Sequence, residues 1–87
     1  MTIAEKTVSP TAIPFRPIDM AGTGANIKRL REESGLSVRD LQEAFRFSTP
    51  QSIYKWQWGQ SLPDVENLGH LARVLGVTVD EILVFKH

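Results

Sequence analysis

The sequence contains no cysteine. That absence excludes a disulfide scaffold, a thiolate zinc site and a cysteine nucleophile. It also has no apolar run near the roughly 18 residues that cross a bilayer, so no membrane helix is expected. An apolar block is missing from the N-terminus, where Glu5, Ser9 and Pro10 stand instead. A secretory signal is therefore not expected, and a cytoplasmic location is. Charge of one sign is missing too. Ten Lys and Arg balance ten Asp and Glu, so a global basic excess, the simplest mark of a nucleic-acid binder, is absent. Histidine is scarce, and no His/Asp/Glu set has metal spacing. No serine has an evident base beside it for a triad. Neither an enzyme, nor a cofactor, nor a metal site is expected.

What is present suits a folded chain of one small domain. Of 87 residues, 41% are hydrophobic and 23% charged, ordinary globular values. The charge is unevenly spread. Residues 15–60 hold seven basic and five acidic side chains, and residues 61–87 hold two and four. Any surface for a polyanion should lie in the first segment.

Residues 1–22 differ from the rest. Pro10, Pro14 and Pro17 and the lack of helical period predict an extended or flexible arm. Its apolar Ile13, Phe15, Ile18 and Met20 offer one or two anchors on the body. Residues 23–85 read as a helical domain punctuated by glycine. Thr23 is the expected cap of a first helix carrying Ile27, Leu30 and Arg31 and ending at Gly35. Ser37-x-x-Asp40 has the form of a capping box and opens a second, with Val38, Leu41, Ala44 and Phe45 inward. Ser48-Thr49-Pro50-Gln51 opens a third, with Ile53 and Trp56 inward and Gly59 as its stop. Asp64 caps a fourth with Leu68, Leu71, Ala72 and Leu75 inward, closed by Gly76. Thr78-x-x-Glu81 opens a short fifth with Val79, Ile82 and Leu83. Such short helices are unstable alone, so they must share one core. A domain this small leaves little room for a deep pocket.

The segment Gly35–Gly59 carries the functional information. Two short helices joined by a tight turn, the second opening on small polar residues, let a helix enter a major groove N-terminus first. By spacing alone, this reading stands level with any other small helical bundle.

A resemblance tips the balance. The ordered set Asn26-Ile-Lys-Arg-Leu-Arg-Glu-Glu-Ser-Gly-Leu-Ser, Asp40-Leu41, Ile53-Tyr-Lys-Trp-Gln-Trp-Gly, Leu62-Pro63, Leu71-Ala72-x-x-Leu75-Gly76-Val77 and Asp80-Glu81-Ile82-Leu83 resembles the Cro/lambda-repressor (XRE-type) helix-turn-helix family. The resemblance covers about Gly24 to Val84. It implies an all-α fold: a five-helix lambda-repressor-like helix-turn-helix bundle, here with an extended N-terminal arm. It further implies sequence-specific binding of double-stranded DNA, commonly as a dimer, in bacterial and phage transcription control. The recognition helix would be about residues 50–58. Three departures stand out. The turn Phe45–Pro50 is about one residue longer than usual. Arg46 stands where many members have glycine, at a cost of about 1–2 kcal/mol if φ is positive there; alternatively, Arg46 is placed for a phosphate. Val38 replaces a glutamine that often touches phosphate, which leaves Arg39 as the nearest candidate.

On this resemblance, Gln51 and Ser52 are candidates for base contact, since Gln can pair two-pronged with adenine and Ser with any base. Gln51 could instead close a capping box with Ser48. Lys55 is a phosphate or guanine candidate, and Tyr54 a sugar or phosphate candidate or a half-buried aromatic. Arg39, Thr49, Gln57 and Gln60 are phosphate candidates, and Arg16 could reach a groove from the arm. Trp56 is assigned to the core. Trp58 lies outward, facing DNA, a partner or the arm. Lys28, Arg29, Arg31, Glu32 and Glu33 read as a solvated face, and His70 as a lone surface histidine. Val84 and Phe85, with neighbouring fifth-helix residues, form a possible homodimer patch, unless Phe85 folds back on the core or arm. The rival function is a protein-interaction module of the same fold, antitoxin-like or an accessory subunit, that reads no DNA. RNA binding ranks third, for want of an aromatic stacking sheet.

Overall fold

The computed structural model describes residues 9–87. The first eight residues of the expected arm lie outside the described residues. Five α-helices follow in order: α1 (Met20–Glu33), α2 (Val38–Phe45), α3 (Gln51–Gln57), α4 (Val65–Leu75) and α5 (Val79–Ile82). Among the described residues there is no strand, only one antiparallel bridge between Ile18 and Phe85. The all-α five-helix bundle is therefore as the sequence predicts.

Four of the five helix starts follow from side-chain caps. Ser37 and Thr78 both form complete capping boxes, with Asp40 and Glu81 reaching back to the cap N–H. Asp64 accepts from the Asn67 N–H at 2.8 Å. α1 begins earlier than predicted. Its cap is Asp19, whose carboxylate accepts from the Gly22 N–H at 2.9 Å. Thr23 is not a cap but a fully buried residue inside the helix. Its Oγ1 accepts from the Val84 N–H at 2.9 Å. A buried hydroxyl thus satisfies the chain leaving α5, a long-range demand that local sequence does not reveal.

The core is built from all five helices. Ile27, Leu41, Ile53, Leu71 and Ile82 are fully buried, each contributing roughly 2 kcal/mol of apolar burial. Leu30, Trp56, Ala72 and Leu75 complete it, and Val38, Phe45, Leu68 and Val79 pack against it half-buried. Ala44, expected inward, is exposed. Leu83 lies past the end of α5, in extended backbone.

α1 approaches the end of α3 closely because glycine stands on both sides of the contact, Gly24 within α1 and Gly59 in the turn that follows α3. A Cβ on Gly24 would lie 2.5 Å from the Trp56 carbonyl oxygen, and one on Gly59 would lie 2.9 Å from the Ala21 Cα. Asn26 fastens α1 to α5, its Nδ2 donating to the Glu81 and Ile82 carbonyls at 2.8 and 2.9 Å.

In the described part of the arm, Pro10–Ala12 forms one 3-10 turn and only Pro17–Asp19 is tied to the body. Asp19 donates to Val84 at 2.8 Å and Lys86 to Pro17 at 2.9 Å, backbone to backbone on either side of the Ile18–Phe85 bridge. Phe85 therefore lies beside the arm, 44% exposed, over a shallow concavity shared with Ile13, Pro14 and Arg16. Phe15, at 89% exposed, is not an anchor.

Candidate nucleic-acid interface

α3 is held by its inner face and open on its outer one. Ile53 and Trp56 are buried at 0% and 3% exposure. Trp56 meets Phe45 and Phe47 edge-on, at ring centroids 5.4 and 5.9 Å apart, and these two phenylalanines stack at 5.1 Å. The aromatic cluster fixes α2, the turn and α3 against one another. At about 100° per residue, Gln51, Tyr54, Lys55 and Trp58 then share the opposite face. Ser52 flanks that face, and all five are exposed.

The start of α3 is polar and unengaged by the fold. Its N-cap is Pro50, which supplies no side-chain cap. The Gln51 N–H reaches only the Thr49 hydroxyl, at 3.4 Å. The alternative capping box of Ser48 with Gln51 does not form, and among the described residues no hydrogen bond holds the Gln51 amide. Arg39 and Glu43 form an exposed i,i+4 pair on α2, Nε to Oε2 at 3.5 Å. Together with Val38, Gln42, Pro50 and Tyr54 they line a cleft of about 410 Å³ between α2 and α3. Thr49 and Gln60 are exposed at the two ends of α3.

Two residues lie elsewhere than predicted. Gln57 is half-buried, and its Oε1 accepts from the Nε of Arg31 at 2.8 Å. Arg31 is not part of a solvated face. It is 9% exposed and also donates to the Leu36 carbonyl at 2.7 Å. Its aliphatic stem follows Ile27 and Leu30 inward while the guanidinium meets α3 and the turn after α1. Lys28, Arg29, Glu32 and Glu33 are exposed as expected. Sequence reading left Trp58 open. It is 60% exposed and stacks on Tyr54, centroids 5.6 Å apart and planes 22° apart. Their i,i+4 spacing is the signal that could have paired them.

His70 is exposed on α4, edge-on to Phe45 at 4.8 Å with Nε2 3.2 Å from the Ala44 carbonyl oxygen. Among the described residues no group of His, Asp or Glu could hold a metal ion, and no helix is long and apolar enough to cross a membrane. Among the described residues, the Asp40 carboxyl has its acidity shifted by the cap that it closes. The Ser37 backbone N–H donates to its carboxylate at 2.8 Å, and this bond, followed by that of the Ser37 side chain, holds it below the ordinary carboxylate value.

A bihelical unit with a buried seam, set in a five-helix bundle, defines an XRE-type DNA-binding regulator fold. The chain belongs to the helix-turn-helix family of Cro/C1 (XRE) type, whose family model matches residues 27–82, more than half of its length. No curated protein is significantly similar. A similar solved structure is that of the clp gene regulator ClgR from C. glutamicum, at 24% identity and a TM-score of 0.66. The likeness covers 80% of this chain and 88% of that one, and at this identity it concerns the fold.

Proposed function

We propose that this protein is a transcriptional regulator that reads double-stranded DNA sequence-specifically, with α3 in the major groove. The observation that carries the reading is the two-sidedness of α3: an apolar face locked by Ile53 and Trp56, and an opposite face of exposed polar and aromatic side chains. Gln51 and Ser52 take the base edges, since both stand at the entering end of the helix. Lys55, one turn further on, takes a guanine or a phosphate. Tyr54, backed by Trp58, packs on the sugar-phosphate wall. Arg39, Thr49 and Gln60 contact phosphates at the margins. Gln57 is turned to Arg31 and serves by fixing the helix.

A neutral module touching few phosphates has little non-specific affinity. We infer that it binds as a homodimer on two half-sites about one helical turn apart. Phe85 is the centre of the proposed contact, with the exposed Ile13 of the arm beside it. Val84 supports it from behind, half-buried with its backbone bonded to Asp19 and Thr23.

The test is selection of bound duplexes from a random pool, then a salt titration on the enriched sequences. Two related half-sites and a steep salt slope are expected. A folded sample that enriches nothing contradicts the reading and favours the interaction module, for which the exposed Tyr54–Trp58 pair would be the docking surface.

A further inference from the structure

Four of the five helices end in one way. The closing residue is left-handed and donates its N–H three residues back, while the next residue donates five residues back. Gly35 with Leu36 closes α1, Gly59 with Gln60 closes α3, and Gly76 with Val77 closes α4. Arg46 with Phe47 closes α2, through bonds to Glu43 at 3.1 Å and Gln42 at 3.0 Å. Three of these positions use glycine, which meets no Cβ penalty there. The fourth uses arginine, at φ 56° and ψ 36°. Among the described residues it is the only non-glycine with positive φ.

The neighbours dictate where this side chain goes. Phe45 and Phe47 both turn inward to Trp56. The residue between them is turned out, and Arg46 is exposed. The fold makes no use of its guanidinium. Arg29 pairs with Glu33 at 2.9 Å, Arg39 pairs with Glu43, and Arg31 is buried against Gln57 and Leu36. Among the described residues, no carboxylate lies in ion-pair range of Arg46. A cation thus stands on the bend between the two helices of the DNA-binding unit, at a site where glycine would relieve the backbone.

We propose that Arg46 is a phosphate-binding residue. Its guanidinium contacts the DNA backbone at the edge of the groove that α3 enters, which fixes the depth and register of the helix. The inference rests on the DNA-binding reading above. A guanidinium fits the task because its fork matches two phosphate oxygens and it is weakly hydrated. Strain kept at an exposed bend is accounted for by a contact made outside the chain.

The test compares wild type, Arg46→Gly and Arg46→Lys on a duplex selected by wild type and on a scrambled duplex, across a range of salt. The glycine variant should keep its helical circular dichroism and melt no lower than wild type. Its affinity should fall about threefold to tenfold on both duplexes. The log–log salt slope should shrink by about one. Lysine should restore the slope. Wild type binding tightly while Arg46→Gly binds with unchanged affinity and slope would overturn the role of Arg46 alone. Wild type binding no duplex would overturn the DNA-binding reading and this inference together.

Discussion

The Nε of Arg31 donates to the amide oxygen of Gln57 at 2.8 Å, across 26 residues of sequence. It ties the last turn of α1 to the last residue of α3, so α3 is held by a polar clasp as well as by Trp56. Arg31→Met should lower stability by about 1–3 kcal/mol, since it leaves the Leu36 carbonyl and Gln57 without their donor. Thermal melts of the two single variants and of Arg31→Met/Gln57→Leu together should show a coupling above about 0.5 kcal/mol. Gln57→Ala should bind a selected duplex as wild type does while folded. Strict additivity would mean that the clasp contributes nothing.

Two helical glycines should respond oppositely to alanine. Gly24 faces the Trp56 and Gln57 carbonyls, and an added Cβ would push α3 away from α1. Gly24→Ala should cost about 1–3 kcal/mol despite the better helix propensity of alanine. Nothing lies within 4 Å of a Cβ on Gly69 in α4. Gly69→Ala should raise stability by about 0.5–1 kcal/mol. Denaturant midpoints settle both signs.

The capping box of α2 makes part of the stability depend on pH. The Asp40 carboxyl is held below its ordinary value by the Ser37 N–H and then the Ser37 hydroxyl. Its contribution is present above the unfolded carboxylate range, near about 4, and is lost as pH falls through the lower folded value. Asp40→Asn should therefore be less stable than wild type at pH 7, and the gap should narrow steadily in acid. A gap constant down to pH 2 would refute the linkage. Ser37→Ala should cost about 1 kcal/mol at neutral pH.

Arg46→Gly removes a left-handed side chain but loosens the unfolded chain. Relief of about 1–2 kcal/mol outweighs or matches the entropic cost of glycine. The melting temperature should hold or rise by a few degrees. A clear drop would mean that the arginine side chain supports the fold.

Much of this was legible locally. Glycines at three helix ends, two capping boxes and the Ile53–Trp56 spacing located most of the five helices and the seam of α3. Capping and periodicity act within a few residues, so sequence exposes them. What it hid was tertiary. Thr23 looked like a cap because its partner, the Val84 N–H, lies 61 residues away. Asp19, the true cap, was absorbed into the proline-rich arm. Arg31 sat between two apolar positions and a charged run, and only the placement of Gln57 decides which way it turns. The outer face of α3 was readable as a set of candidates, because its exposure follows from the inward pair. The stack of Trp58 on Tyr54 was within reach of i,i+4 spacing, but the end of the helix obscured it.

The central claim is that the exposed face of α3 reads DNA. The direct measurement is the affinity of Gln51→Ala and Lys55→Ala for the duplex that wild type enriches, with circular dichroism confirming the fold of each. Each variant should lose about 1–3 kcal/mol on that duplex. Gln51→Ala should also relax preference at one base pair of each half-site. Full affinity and unchanged preference in both variants would contradict the claim.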